Sequence, residues 1–551
     1  MDEETWEDPG VAAVVGRLVV PVRVDADARP DVYARFHMGG LPTTALLTAD
    51  GAFVRGATFL SSGELQRFLD LGLDEWRVGR LPAPRVTREP VAPANLVDAV
   101  VGRLVRRADL VHGGFGIAPK LPETEALTLL LRLWRRSKEP AIERIVRGSL
   151  DAVVAHLADP RDGGFFRYAA AMDWTSPHTE KLAVDQARIV RLLLEAGVAL
   201  DAPRYVAAAC AGLAHARRRL ADEQGRVLSS VAADPEYYAA DGRRGDATSA
   251  GGTFSGTDSE SAQVSGGMAV AHRSSADDRS PTERPLVDTR RFADGAAAMT
   301  SAAAFARAIT GNGFGFSSEF LDAAPSGAVT HRLDQPDTVV GLLQDHALAL
   351  TAALDAYRLS GDVALVEWAE RVARFANEHL WDDAVGAFRS EPRTAREAVG
   401  LPAMFPLLAN GEMAHALVDL ADHSGCAEYQ RHARRAVESL AARATTSPAG
   451  AAIALAAFRL KAGAPEVDID GDPTDPTTRA LAHLAVATLG PVVTVRWTRR
   501  NAPGITVCVG DLCLPRTENR RDAIEALRQA GLVPQGILAH RSCSGPDEQG
   551  A

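Results

Sequence analysis

The chain has 551 residues, of which 46% are hydrophobic and 24% are charged, and its formal net charge is −11 at pH 7. This composition is typical of a globular protein with a substantial core, whereas a general nucleic-acid binder is normally basic. The sequence contains no run of about 18 apolar residues, so we expect no membrane span. The acidic N-terminus does not resemble a signal peptide. Five cysteines predict no disulfide framework, so we expect a cytoplasmic protein.

Residues 1–75 carry an α/β pattern. The turn Asp50-Gly51 between two short apolar runs is a strong hairpin signal. Ser61-Ser-Gly-Glu64 predicts a helix start with an acidic first turn. The β-rich runs that predict strands are 18–24, 43–48 and 52–55.

From about residue 96 to 490 the pattern is helical. Gly113-Gly-Phe115, Gly163-Gly-Phe165 and the degenerate Gly386-Ala-Phe388 recur between helices, the first two 50 residues apart. This spacing predicts a repeat of helical hairpins around a shared core; the alternative is that Gly-Gly merely ends helices. Apolar residues recur at helical spacing in 125–135, 144–157, 182–199, 342–357 and 364–380.

Three further segments break the helical pattern. Prolines in 76–95 predict an extended linker. Residues 241–284 are rich in Gly, Ser, Asp and Thr, and this composition predicts a disordered insertion. Residues 491–551 predict a small mixed α/β segment with strands near 492–497 and 505–509, and its tail after Gln535 is expected to be frayed.

Several strings distributed along the chain are similar to one protein family. They are Val24-Asp-Ala-Asp-Ala-Arg-Pro-Asp31, Gly39-Gly-Leu-Pro42 with Leu46-Leu-Thr-Ala-Asp-Gly51, His112-Gly-Gly-Phe-Gly116 with Ala118-Pro-Lys-Leu-Pro122, Asp162-Gly-Gly-Phe-Phe-Arg-Tyr168, Pro177-His-Thr-Glu-Lys-Leu182 with Asp185-Gln-Ala187, and Cys508-Val-Gly-Asp-Leu-Cys513. They resemble the spermatogenesis-associated protein 20-like proteins. The resemblance implies an α+β multidomain, mainly α fold: a truncated thioredoxin-like domain over 1–75, then an (α/α)6 toroid over 96–490 like those of six-hairpin glycosidases and sugar 2-epimerases.

The chain departs from the family pattern at three places. The C-x-x-C of the family's thioredoxin-like domain is absent, so dithiol exchange would need a longer N-terminus. Ala232-Ala-Asp234 keeps one of the family's two carboxylates, and Asp294-Gly-Ala-Ala297 replaces its tryptophan–asparagine pair. The histidine–glutamate–lysine group at 178–181 is kept.

The densest group of ionisable residues lies at 178–186. A histidine beside carboxylates suits general acid–base chemistry, and cationic side chains can hold an oxyanion or a sugar hydroxyl. If the segment is helical, His178, Lys181 and Asp185 share one face. The alternative is a buried salt-bridge network with a satisfied core histidine. We expect His178, Glu180, Asp185 and Asp345 to be catalytic, and Arg167, Tyr168, Lys181, Gln186, Lys120, Phe115 and His346 to bind the ligand.

These residues predict a protein that binds or isomerises a sugar-like metabolite in the funnel of the toroid. Alternatives are a redox or protein-handling role of the thioredoxin-like part, or an inactive scaffold. Pro42 could shape a groove for a protein partner, or it could be a plain turn. Cys508 and Cys513 lack two further zinc ligands nearby, so we expect free cysteines in a β-rich core, with a redox pair as the alternative. No cofactor, metal, nucleic acid or membrane partner is predicted.

Overall fold

The computed structural model describes residues 2–79, 95–234, 237, 284–322, 326–336, 338–393, 403–498 and 502–532. Most of the predicted linker, the predicted insertion and the tail after Gln535 lie outside these residues. Within them, no helix is both long and apolar enough to cross a bilayer.

The N-terminal unit contains a β-hairpin packed beside helices. The hairpin turns at Asp50-Gly51 as predicted, with antiparallel pairing of its strands. The last helix begins with a capping box between Ser61 and Glu64, also as predicted. The elements are α1 (Pro9–Leu18), α2 (Pro30–Phe36), β1 (Thr44–Leu47), β2 (Phe53–Ala57) and α3 (Ser62–Arg77), and their small core is Val11, Val15, Leu65, Phe68 and Leu69.

The strand predicted over 18–24 is wrong. Leu18 ends α1, and residues 19–24 run along the surface without strand pairing in the described chain. Val20 and Val22 are 87% and 77% exposed. The run is β-rich in composition, but no neighbouring strand lies beside it to accept its backbone hydrogen bonds. The thioredoxin-like assignment of this unit stays a prediction.

A closed ring of six inner helices forms the body of the described chain. Each inner helix packs on the next, and the last packs on the first. The inner helices are α5 (Thr124–Ser137), α7 (Ala183–Ala199), α9 (Ala293–Thr310), α10 (Leu343–Ser360), α12 (Leu407–Ser424) and α14 (Gly450–Ala462). Outside them lie α4 (Leu96–Arg107), α6 (Pro140–Ala152), α8 (Pro203–Arg219), α11 (Val363–His379), α13 (Ala427–Ala444) and α15 (Pro476–Leu489). The predicted helical segments and the toroid are therefore confirmed.

One outer helix comes from an unexpected part of the sequence. Five inner helices follow an outer helix in the chain, but α10 does not. Its place in the outer layer is taken by α15, which packs against both α9 and α10. The C-terminal segment thus covers a part of the ring that the preceding chain leaves open.

Within the described residues, the connections carry seven short strands. They are β3 (Tyr168–Ala169), β4 (Pro177–His178), β5 (Lys181–Leu182), β6 (Ser230–Val231), β7 (Val287–Asp288), β8 (Trp381–Asp382) and β9 (Ala387–Phe388). The C-terminal sheet has the order β11-β10-β12-β13, where β10 is Glu466–Asp470, β11 is Thr494–Thr498, β12 is Gly504–Val509 and β13 is Leu512–Cys513; α16 (Arg520–Gln529) follows. β10 lies before the predicted boundary at residue 491. Between β10 and β11 the chain forms α15, which belongs to the helical body.

The predicted free core cysteines are wrong for Cys508 and Cys513. They face each other across β12 and β13 and form a disulfide. Cys513 is exposed rather than buried. The antiparallel register brings the two side chains together at the end of the sheet, beyond its apolar core.

The Gly-Gly-Phe strings end loops of one construction, so the predicted repeat is confirmed. In each loop an aspartate precedes the glycine by four residues, and the glycine N–H donates back to the carbonyl oxygen of that aspartate. For Asp109, Asp159 and Asp382 these N···O distances are 3.0, 3.1 and 2.6 Å. The phenylalanine then pairs with the residue before the aspartate. The first glycine of each string has a φ between 76° and 80°, which glycine adopts at little cost.

The fourth residue of three inner helices anchors the preceding loop. Gln186 accepts from the N–H of Phe165 at 2.8 Å and donates to its carbonyl at 2.5 Å. Asn410 makes the same pair with Phe388, at 2.8 and 2.9 Å. At the same place in α10, His346 accepts from the N–H of Val329 and donates to the carbonyl of Leu342.

Two buried lysines hold the loops from the other side. Lys120 Nζ donates to Asp109 Oδ2 at 2.8 Å and to two loop carbonyls at 3.0 Å. Lys181 Nζ donates to Asp159 Oδ2 at 2.7 Å and to the carbonyl of Gly163 at 2.6 Å. A compact ammonium with several donors fits such a socket, which explains lysine at these positions in an arginine-rich chain.

We predict that Lys181→Met and Lys120→Met each lower the free energy of unfolding by about 3–5 kcal/mol, because Asp159 and Asp109, whose side chains are only 8% and 14% exposed, lose a buried counter-charge. Denaturant titrations measure this. Adding Asp159→Asn to Lys181→Met should restore at least half of the loss. Lys461→Met, at an exposed lysine, is the matched control. A loss under about 1 kcal/mol for Lys181→Met would contradict the role given to its ammonium.

A second prediction concerns pH. Burial lowers the pKa of His346 to about 4, so between its ordinary pKa of about 6.5 and that value only the unfolded chain takes up the proton. Stability therefore falls as pH falls through this window, by roughly 3 kcal/mol from this residue. His346→Gln, which places the side chain of Gln186 at the equivalent position of α10, should show a shallower decline between pH 7 and pH 4.5. Equal slopes for the variant and the parent chain would refute it.

Candidate functional site

The first turns of the inner helices meet at one end of the ring, which we call the funnel mouth. Arg188 on α7 reaches across to α12, with Nη2 2.7 Å from Glu412 Oε1, and its Nε lies 3.8 Å from Glu125 Oε1 on α5. Gln344 on α10 donates to Glu412 Oε2 at 2.5 Å. Four inner helices therefore contribute one connected set of polar groups. These groups remain partly open, since the side chains of Arg188 and Glu412 are 20% and 16% exposed.

The connection before α7 adds a second set of groups. Arg167 Nη1 donates to Glu180 Oε2 at 2.7 Å, and Arg167 Nε lies 3.7 Å from Asp185 Oδ2. The Tyr168 ring stacks on the His178 ring with 4.9 Å between centroids and 13° between planes. The short pairing of β3 with β4 sets this arrangement, because Tyr168 lies opposite His178. The fold thus brings together these five residues, all of which were predicted for the site.

His178 has the character of a proton acceptor. Its Nδ1 is buried and has no hydrogen-bond partner among the described residues. Burial lowers the pKa of His178. The charge of Glu180 raises it and the charge of Arg167 lowers it, and the net result is a pKa below the ordinary 6.5. The ring is therefore mainly neutral at pH 7 and carries a free lone pair. The expected helical face is wrong, because α7 begins only at Ala183 and both His178 and Lys181 lie in short strands.

Across the mouth, His331 and two aspartates form a compact cluster. His331 Nδ1 lies 3.0 Å from each carboxylate oxygen of Asp345, and Asp294 supplies a third group. Burial lowers the pKa of His331, but the charge and hydrogen bond of Asp345 outweigh it and raise the pKa to about 10. Burial also raises the pKa of Asp294. His331 and Asp345 are 2% and 0% exposed.

The N-terminal unit lies against the mouth. The carbonyl of Asp27 is 2.7 Å from His331 Nε2, and Arg290 Nη1 is 2.6 Å from Asp25 Oδ2. The pKa of Asp27 is raised by burial first and then by neighbouring carboxylates, among them Glu180 and Asp294. The side chain of Asp27 therefore faces the same space as both clusters, and the string 24–31 that carries the resemblance closes one side of the funnel.

Carboxyl groups outnumber cations at the mouth. Burial is the first cause of a raised pKa for Asp185, Asp294 and Glu412 as well as for Asp27. Such carboxyls keep a larger share of protons than ordinary ones and can act as acids. Among the described residues, the acids are Asp27, Glu125, Glu180, Asp185, Asp294, Asp345 and Glu412, and the cations are Arg167, Arg188, Arg290 and His331.

Below the mouth, the ring axis is filled by closed ion pairs. Arg132 Nε lies 2.8 Å from Glu195 Oε1. Arg358 Nη1 lies 2.7 Å from Asp355 Oδ1, and its Nη2 also reaches Asp419. These side chains are almost fully buried apart from Arg132, which is 10% exposed. This deeper layer matches the alternative of a salt-bridge network that joins helices.

The remaining predicted site residues belong to the frame of the ring. Lys120, Lys181 and Gln186 hold repeat loops, and Phe115 is 2% exposed in the core. His346 has both ring nitrogens in backbone hydrogen bonds. The ligand-binding roles expected for these five residues stay predictions, as their observed contacts are within the frame. Catalytic and ligand-binding roles at the mouth remain predictions for His178, Glu180, Asp185, Arg167, Tyr168 and Asp345.

Sequence reasoning missed other residues of the mouth. Arg188, Asp294 and Glu412 lie in the first two turns of helices, on faces that the apolar pattern does not distinguish. The available signal was their position. Charged side chains near the starts of buried helices need partners or solvent, so they are expected to meet at one end of the ring. His331 carried no such signal, since it lies in a loop between α9 and α10.

No family model matches the chain. The mouse spermatogenesis-associated protein 20 is 25% identical over 275 residues, which cover 42% of this chain and 34% of the mouse protein. The chain thus spans about a third of the length of the curated relatives that it matches.

Solved structures also resemble the chain. Cellobiose 2-epimerase from Spirochaeta thermophila has a TM-score of 0.46 and 14% identity, covering 62% of this chain and 81% of that one. A sugar epimerase from a ruminal bacterium has a TM-score of 0.45 and 12% identity, covering 63% and 85%. Over 275 residues, the chain is thus similar in sequence to spermatogenesis-associated protein 20 of mouse and human.

Proposed function

We propose that the funnel mouth binds a sugar-like metabolite with a carbonyl group and isomerises it by proton transfer. The observation that carries the proposal is the neutral His178, whose buried Nδ1 has no partner in the described chain, beside carboxyls of raised pKa. A base and an acid with pKa values moved toward each other suit the removal of a proton and its return. The alternating carboxylates and guanidinium groups supply acceptors and donors for hydroxyl groups.

The proposed reaction uses His178 as the base and Asp185, which Arg167 contacts, as the acid. His178 takes the proton from the carbon beside the carbonyl, and the protonated Asp185 gives a proton to the carbonyl oxygen. This produces an enediol, and return of a proton to either carbon gives the isomer or epimer. Arg167, which contacts both Glu180 and Asp185, positions the acid and adds positive charge beside the developing oxyanion.

A protein-binding role of the N-terminal unit is the second candidate. The resemblance of this unit to thioredoxin-like domains directs attention to the turn at Pro42. Met38 and Leu41, close to Pro42 in sequence, are 43% and 58% exposed, and Phe59, which follows β2, is 43% exposed. Exposed apolar side chains at such a turn favour a groove for a protein partner.

The first candidate predicts exchange of carbon-bound hydrogen with solvent. In D2O, the intact chain should introduce deuterium beside the carbonyl of at least one member of a panel of aldoses and ketoses, read by proton NMR. His178→Ala should slow this by about 100-fold or more. The rate should also fall as pH falls through the lowered pKa of His178, because the imidazolium cannot accept a proton.

The matched control is His156→Ala, at an exposed histidine on the outer layer, which should leave the rate unchanged. No exchange with any sugar of the panel, or equal rates for His178→Ala and the parent chain, would overturn the proposed isomerisation.

A further inference from the structure

The cluster of Asp294, His331 and Asp345 has the spacing of a metal site. One ligand atom from each residue can be chosen so that all three lie within 4.8 Å of one another. The two tightest partners, His331 Nδ1 and the Asp345 oxygens, are 3.0 Å apart. Ligands at about 2.0–2.2 Å from one ion are separated by about 3–4 Å, so a small side-chain movement of Asp294 closes the set.

The second observation is the hydrogen bond on the far side of the imidazole. His331 Nε2 lies 2.7 Å from the carbonyl oxygen of Asp27, which can only accept, so Nε2 carries the hydrogen. A metal-binding histidine normally donates its other N–H to a carbonyl or carboxylate in this way, and the donation directs its free lone pair at the ion. Here that lone pair on Nδ1 faces Asp345 once the nitrogen has lost its proton.

The position of the cluster supports a metal site with one open side. His331 and Asp345 are buried, whereas Asp294 is only partly buried and lies at the start of α9. The first-turn side chain of Asp294 otherwise contacts the N–H of Gly295. Three protein ligands leave room for a water or a ligand oxygen from the funnel, which is the pattern of a catalytic rather than a structural site.

We propose that Asp294, His331 and Asp345 bind one first-row divalent transition ion at the wall of the funnel mouth. One imidazole nitrogen with two carboxylate oxygens is a ligand set that suits Zn²⁺ or Mn²⁺. Without the ion, a proton on His331 Nδ1 bridges the imidazole and the Asp345 carboxylate. When the ion binds, it replaces that proton. The ion also balances part of the carboxylate excess at the mouth. This inference is independent of the proposed isomerisation, because it concerns binding alone.

Isothermal titration of the untagged chain with Zn²⁺, and separately with Mn²⁺, tests the site. We expect one ion per chain, with Zn²⁺ binding more tightly. Asp294→Asn should weaken binding at least about 10-fold, while circular dichroism stays unchanged, because the amide oxygen can still accept from Gly295. His331→Gln should weaken it further.

Asp334→Asn is the matched control, since Asp334 lies in the same loop as His331 and its carboxylate pairs with Arg332 outside the cluster. It should bind the ion like the parent. Absence of saturable binding of one ion, or equal affinity in Asp294→Asn and the parent, would show that His331 and Asp345 form an ion pair and not a metal site.

Discussion

One electrostatic constraint governs this structure: the six inner helices place charged side chains on the axis of the ring. A charged side chain inside a protein is costly unless it has a partner. The deeper layer meets this requirement with closed arginine–carboxylate pairs such as Arg358 with Asp355. The mouth does not, because carboxyls exceed cations there and several have raised pKa values. This imbalance separates the part of the axis that holds the ring together from the part available to a ligand.

The frame around the mouth is repetitive, and the mouth is not. Repeat loops end in similar strings, and lysine, glutamine, asparagine or histidine side chains hold them in equivalent ways. Residues one or two positions away on the same helices differ between repeats, as Asp185 and Ala409 do at the third position of α7 and α12. A repeated frame lets the lining change without altering the fold, which is how one architecture can serve different chemistry.

The N-terminal unit adds to the mouth what the ring does not supply. Asp27 reaches His331, and Asp25 pairs with Arg290, so the string around residue 25 is part of the wall of the funnel. The resemblance pointed to this string without indicating a contact with the toroid. Its contribution explains why a short segment outside the ring stands among the matching strings.

Local patterns in the sequence were enough to predict the helices, the hairpin at Asp50-Gly51 and the grouping of His178, Glu180 and Arg167. They failed where the outcome depended on distant partners. The run at 18–24 has strand composition but lacks a neighbouring strand, and α15 fills a gap that only the closed ring creates. Lys181 lies in a rich polar string, yet its ammonium turns to Asp159 and not to the funnel. The approach of Asp294, His331 and Asp345 likewise depends on the packing of α9 against α10.

In the proposed function, the charge at the mouth serves a ligand, whereas the charge below it serves stability. Unfolding free energies of Asp185→Asn and Asp419→Asn at pH 7 test this division most directly. Burial raises the pKa of Asp185, so its ionised form is disfavoured in the folded chain, and its neutralisation should raise the free energy of unfolding. Asp419, whose pKa is lowered by Arg358 and Arg459 despite its burial, should cost about 3 kcal/mol or more when neutralised. Equal losses from both substitutions would contradict this division and make the mouth one more layer of the salt-bridge network.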